Sequence, residues 1–331
     1  MRCAAPTAGI GPYDRFVVSA RLKPRLRAAA LAAACFLGIL VVWAVLVVSH
    51  TGQLMEQTAL TGSRIGARFA SGYARTLLHV VSIPAVIAMA VIVFLLALWR
   101  GSRRRALWAA GTIAATNASA QLLKHTLLWR PDFGLSQRWD AANTLPSGHT
   151  AVAASTAVAL VLVVGARWRS LTAWVGALLA AAMGYSTLVC QWHRPGDVMA
   201  ALLLAVGWGA VAVACGAWAN DEPAPGGRTG PDDGGGRGAR RADGAPAAGP
   251  GVAVMILGVL GVLAGVISAA LEVITWRGLQ VDPSRVDAFV AYAAGSGGTV
   301  AVAFTGLALL AALSRASEVA PPRRRGRHVR S

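Results

Sequence analysis

Three polar clusters stand out in an otherwise largely apolar chain, and each holds side chains suited to gripping or attacking a phosphoryl group. The first is Lys124 with Arg130-Pro131, and the second is Pro146-Ser147-Gly148-His149. The third runs from Ser186 to Asp197 and contains His193. Lys124 and Arg130 supply positive charge and several N–H donors, and an Arg can hold two phosphate oxygens at once. Charge-assisted bonds of this kind contribute roughly 1.5–3 kcal/mol each. Ser147 and Gly148 stand where a helix is expected to begin, so unpaired backbone N–H groups and the helix dipole favour an anion there. His149 follows directly and sets an imidazole beside that anion. His193 and Asp197 are four residues apart, a spacing that brings side chains together on a helical turn. A carboxylate bonded to one ring nitrogen fixes the tautomer and leaves the other nitrogen free to attack. Two histidines can then divide the work, one attacking phosphorus while the other protonates the departing oxygen.

The elements that must position these residues are membrane helices. Of 331 residues, 56% are hydrophobic and only 14% are charged, where soluble domains carry about 25% charged residues. Crossing the hydrocarbon core takes roughly 20 apolar residues in a helix. Eight segments qualify: about 28–49, 77–99, 106–128, 149–166, 171–190, 198–218, 251–275 and 287–314. The basic stretch Arg21 to Arg27 before the first segment suits a retained helix better than a cleaved leader. With the N-terminus inside, the inner segments hold 22 of the 31 basic residues and the outer segments hold nine. That asymmetry predicts cytoplasmic termini and places all three polar clusters at the outer face.

The net charge of +17 follows from these helix flanks. No basic stretch is interleaved with aromatics, so nucleic acid is excluded as a partner. Residues 219–250 are rich in Gly, Pro, Ala, Arg and Asp without apolar periodicity, and read as a disordered cytoplasmic linker. The chain thereby divides into a basic N-terminus (1–27), a six-helix unit (28–218), the linker, a two-helix extension (251–314) and a basic tail (315–331) that can touch anionic lipid. Cys3, Cys35, Cys190 and Cys215 form no CxxC pair, which speaks against a disulfide framework or zinc site. Trp129 and Trp192 are suited to anchoring at the interface. Glu272, near the outer end of the seventh segment, is an intramembrane acid that can line a headgroup pocket. His125 points away from Lys124 on a helix and is left out of the site.

The three clusters together resemble the signature of the type 2 phosphatidic acid phosphatase superfamily, in its integral membrane branch. The pattern of that family is K-x6-R-P, then P-S-G-H, then S-R-x5-H-x3-D. Here it stands as Lys124-x5-Arg130-Pro131, then Pro146-Ser147-Gly148-His149, then Ser186-Thr187-x5-His193-x3-Asp197, and the resemblance covers about residues 30–218. It implies that His193 forms a phosphohistidine oriented by Asp197 and that His149 is the general acid. Lys124, Arg130, Ser147, Gly148 and, where the family has Arg, Thr187 would hold the phosphate, with no metal and no cofactor. The first block is one residue short, and Thr187 removes one phosphate contact that Arg194 or Arg138 would replace.

The expectation is therefore an all-α polytopic membrane helix bundle, a six-helix phosphatase core with two further C-terminal transmembrane helices in the cell membrane. Its partners are membrane lipids and a lipid phosphate or diphosphate substrate, of polyprenyl diphosphate or phosphatidic-acid type, hydrolysed at the outer face. Transfer of the phosphoryl group to another acceptor, or non-catalytic lipid binding or transport on the same scaffold, are the alternatives. Nothing in the chain sets an oligomeric state.

Overall fold

The computed structural model describes residues 12–80, 88, 91–93, 95, 103–135, 142–217 and 251–317. The expected segment 77–99, the linker 219–250, Arg138 and most of the basic tail lie largely or wholly outside these residues. Among the described residues every regular element is helical, and the chain is an all-α polytopic bundle. The helices are α1 (Pro12–Val42), α2 (His50–Val80), α3 (Arg103–Leu122), α4 (Gly148–Val163), α5 (Ala166–Val189), α6 (Pro195–Ala214), α7 (Val252–Arg277) and α8 (Arg285–Ser317). Short π-helical turns, Trp43–Val48 and Leu123–Leu127, extend α1 and α3. Among the described residues, five stretches are long and apolar enough to cross a membrane: Leu22–Val48, Ala166–Val189, Pro195–Ala214, Val252–Arg277 and Arg285–Ser317.

Local sequence explains where the central helices start and stop. Ser147 caps α4, its side-chain oxygen accepting the Thr150 N–H at 3.4 Å. Gly165 separates the end of α4 from the start of α5. Pro195 stands at the first position of α6, where its missing N–H costs nothing. At the far end of α6, Arg104 donates to the carbonyls of Gly216 at 2.7 Å and Cys215 at 3.0 Å, a cation satisfying the open carbonyls of a helix C-terminus.

Helix α2 departs from the sequence expectation. Residues 50–76 read as an outer connection, but they fold into a 31-residue helix. Its sequence is too polar for an apolar-run search, because the polar side chains face inward. Gln53, Glu56, Thr58 and Ser63 are all buried.

Apolar burial between membrane helices gains little when lipid is as apolar as leucine, so close packing of small residues takes over. Helix α8 shows this along one face. Gly295 lies against Pro195, and a Cβ added at Gly298 or Gly306 would come within 2.8 Å of Met199 Sδ or 2.7 Å of Val206 Cγ2. Helix α8 is thus pressed onto α6, with Ala294, Ala303, Leu307 and Leu310 fully buried. Helix α7 lies outside it, tied by the Ser268 hydroxyl to the Ala294 carbonyl at 2.7 Å. Much of α7 is exposed apolar surface, including Val259, Val266 and Ile267, as a lipid-facing helix requires.

A side chain at position 295 has no room unless Pro195 moves. Gly295→Val should therefore cost about 1–3 kcal/mol through overpacking and lower the thermal midpoint in detergent. Gly258→Ala, whose added carbon meets Ala308 Cβ at an ordinary 3.5 Å, should leave the midpoint unchanged.

Candidate active site

The third polar cluster is built around the first turn of α6. Asp197 is the third helical residue, and its Oδ2 reaches back to accept the Arg194 N–H at 3.0 Å, as a capping side chain does. The same oxygen accepts the Thr144 hydroxyl at 2.6 Å and lies 3.1 Å from His193 Nδ1. His193 precedes the helix, so the four-residue spacing works through the cap and not through a helical face. The carboxylate bond to Nδ1 leaves Nε2 of an 11% exposed imidazole as the nitrogen open to a ligand.

The turn leading into this cap is held from behind. The Thr187 carbonyl accepts the Trp192 N–H at 2.9 Å and the His193 N–H at 3.3 Å. Gln191 adopts φ of 57°, the left-handed region that side chains seldom occupy and that recurs at functional sites. The Thr187 hydroxyl, expected among the phosphate-binding groups, donates instead to the Gly184 carbonyl at 2.7 Å and is fully buried. The residue supports the turn and presents no donor to the site.

The second cluster docks directly on the third. The Ser147 N–H donates to the Asp197 carbonyl at 2.9 Å, so the N-termini of α4 and α6 meet at one place. The positive ends of two helix dipoles converge there, which favours an anion. Ser147 spends its side-chain oxygen as the cap of α4, also accepting the Thr150 hydroxyl at 3.0 Å. At Gly148 a Cβ would meet nothing within 4 Å, so open space adjoins the helix start. His149 follows with its ring 5.4 Å from that of Trp192, and it lies within electrostatic range of both His193 and Lys124.

The first cluster closes the site. Lys124 sits in the π-helical turn Leu123–Leu127, a widened turn of a kind found often at functional sites. Asn143 knits this turn to the second cluster, donating to the carbonyls of Lys124 and Leu128 and accepting the Leu145 N–H. Arg130 Nη2 donates to Gln53 Oε1 at 2.8 Å. Burial first, and then the charge of Arg194, push Arg130 down to about 10, so it remains a cation at neutral pH. Arg194 is 2% exposed, with Nη1 donating to the Thr144 hydroxyl at 3.1 Å. Two guanidinium groups close enough to repel each other invite an anion between them. Arg194 thus adds a buried cation beside the turn that carries His193.

Several residues of this arrangement carry no sequence signal of their own. Thr144 and Asn143 precede the second motif by only a few positions. Gln53 and Glu56 come from α2, far away in the chain. Among the described residues, no three His, Cys, Asp or Glu side chains gather closely enough to hold a metal ion.

Residues 105–221 match the PAP2 superfamily. That stretch contains Lys124, Arg130, Ser147, Gly148, His149, His193 and Asp197, and leaves out α1, α2, α7 and α8. No curated protein and no solved structure matches the chain.

Two substitutions probe this geometry without presuming a substrate. Arg194→Ala should weaken binding of orthophosphate to the detergent-purified protein about tenfold, as loss of one charge-assisted contact would. Thr144→Val removes one of three donors from Asp197 Oδ2 and should lower the melting midpoint by a few degrees, consistent with about 1–2 kcal/mol. Undiminished phosphate binding by Arg194→Ala would remove that residue from the anion site.

Proposed function

We propose, from the membership of residues 105–221 in the PAP2 superfamily, that this integral membrane protein is a phosphatase acting on a lipid phosphate or diphosphate through a phosphohistidine. The superfamily acts on phosphate esters, and the membrane helices around the site favour an amphiphilic substrate. The observation that carries the reading is the pairing of His193 Nδ1 with Asp197 at 3.1 Å, beside a second imidazole and two guanidinium groups, that of Arg194 buried and that of Arg130 half-buried.

In this reading the phosphoryl group rests between Arg130, Arg194 and Lys124, against the backbone at Gly148. His193 Nε2 attacks phosphorus, forming the P–N bond as the bond from phosphorus to the leaving oxygen breaks. His149 gives its proton to that oxygen, so the lipid departs as an alcohol from a monophosphate or as a monophosphate from a diphosphate. Asp197 stabilises the positive charge that develops on the His193 ring. Water then attacks phosphorus, His149 takes up its proton, and the P–N bond breaks to release orthophosphate and restore both histidines. Arg130 and Arg194 offset the charge on the phosphoryl oxygens in both steps, the largest kind of contribution a preorganised site makes.

The placement follows from charge. Basic residues concentrate on the side opposite the site in the eight-segment topology, which puts the termini in the cytoplasm and the site at the outer face of the cell membrane. A substrate anchored by its acyl or polyprenyl chain would bring its headgroup to that level. Polyprenyl diphosphate and phosphatidic-acid-type lipids both satisfy this geometry.

The test is phosphate release from a panel of lipid phosphates and diphosphates by detergent-purified protein in excess chelator. Release should persist in chelator and should fall by about 10³-fold or more in His193→Ala, as for loss of a nucleophile. Asp197→Asn should lose about 10²–10⁴-fold while retaining substrate binding. If no lipid yields phosphate while the protein stays folded, the hydrolase reading fails.

A further inference from the structure

Helix α2 lies outside the matched residues 105–221, yet it holds parts of the first and third motifs in place. Gln53 Nε2 donates to the Pro131 carbonyl at 2.8 Å, and Gln53 Oε1 accepts Arg130 Nη2 at 2.8 Å. Three residues further along, Glu56 Oε1 accepts the Gly196 N–H at 2.7 Å. One turn beyond that, the Leu60 carbonyl accepts Gln191 Nε2 at 3.0 Å. We propose that Gln53 and Glu56 are positioning residues of the phosphoryl site, Gln53 aiming the Arg130 guanidinium and Glu56 fixing the α6 turn that sets Asp197 against His193. The proposal rests on the phosphatase reading given above.

Both side chains are buried, Gln53 to 1% and Glu56 to 3% exposure. An amide suits position 53 because it donates and accepts from one head group. Its nitrogen serves the Val47 and Pro131 carbonyls while its oxygen takes one arm of the Arg130 fork. The remaining guanidinium N–H groups are thereby left at a set angle for a phosphate. Second-layer partners of this kind fix the orientation of the groups that meet a ligand.

A carboxyl group at position 56 does a different task. The Gly196 N–H belongs to the first turn of α6, where the helix provides no acceptor. Glu56 Oε1 supplies one, while Glu56 Oε2 is buried with no hydrogen-bond partner. A Cβ at Gly196 would come within 3.1 Å of Glu56 Oε1 and 3.2 Å of Leu46 Cδ1, so glycine lets the carboxyl approach the backbone. The charged groups facing Glu56 are Asp197 and Arg194 at the α6 turn, Glu272 on α7 and Arg130. Burial first, then the Asp197 carboxylate, raise the Glu56 carboxyl well above the usual carboxylate range, and Arg194 opposes them. The neutral acid leaves Asp197 as the single negative partner of His193. Ionisation of Glu56 at alkaline pH would set a second negative charge beside Asp197 and repel an incoming phosphate.

The test compares full-length Glu56→Ala, Glu56→Gln and Gln53→Ala with the parent protein in detergent. Glu56→Ala should lower kcat about tenfold or more with KM within about threefold, the pattern of a misaligned turn. Glu56→Gln keeps an acceptor for Gly196 and should recover most of that kcat, while its alkaline fall in rate shifts or flattens because the amide does not ionise. Gln53→Ala should raise KM about tenfold as Arg130 loses its aim. Nitrogen-15 NMR of His193 gives a readout independent of turnover: its Nδ1 resonance should move in Glu56→Ala, as the bond to Asp197 changes, and stay in place in Glu56→Gln. A Glu56→Gln variant as impaired as Glu56→Ala, or parental kinetics in Glu56→Ala, overturns the assignment of Glu56. Unchanged KM in Gln53→Ala overturns that of Gln53. If the parent protein releases no phosphate at all, the phosphatase reading falls by itself. The His193 resonances then decide the positioning of that ring, which an unmoved Nδ1 resonance in Glu56→Ala would refute.

Discussion

One carboxylate oxygen organises the site. Asp197 Oδ2 meets the backbone N–H of Arg194, the hydroxyl of Thr144 and the Nδ1 of His193, so three donors from two segments of chain converge on a single acceptor. The first bond starts α6, the second pins the strand of loop before α4, and the third orients the imidazole. The Asp197 carbonyl adds a fourth constraint by accepting the Ser147 N–H. Because a buried carboxylate left without donors is costly, these bonds form together or the turn reorganises. Cap, loop and reactive side chain are therefore one structural unit.

The surrounding helices keep this unit in place by means suited to a membrane. Apolar side chains facing lipid gain little by facing each other instead, so the bundle relies on close backbone approach and on internal polar contacts. Helix α8 supplies the first, through Gly295 against Pro195 two residues before Asp197. Helix α2 supplies the second, through buried Gln53 and Glu56. Neither helix lies in the stretch that matches the PAP2 superfamily, yet both press on the turn that carries His193. The C-terminal helices thus support the site from behind, with α7 screening α8 from lipid.

Charge completes the picture. Arg130, Arg194 and Lys124 gather where two helix N-termini meet, and Asp197 and Glu56 lie beneath them. Arg130 and Arg194 repel each other, and an anion between them would relieve that repulsion. Thr187 and Arg194 have separate tasks in this setting. Thr187 has turned its hydroxyl into the backbone of α5, and a guanidinium from the next turn, Arg194, stands beside Arg130.

What the sequence by itself determined is local: the apolar segments, the helix start at Ser147 and Gly148, and the short spacing from His193 to Asp197. Each is decided by residues within a few positions of one another, where periodicity and turn chemistry act. Helix α2 escaped that reading because its inward face is polar, and a search for apolar runs discards such a segment. Thr187 was assigned to the phosphate on its place in a motif, which says nothing of where a hydroxyl turns. Tertiary structure alone decided that Arg130 would be held by Gln53, 77 residues away, and Gly196 by Glu56, 140 residues away. Hydrogen bonds of that reach leave no pattern in the chain, because they exist only after packing has brought the helices together.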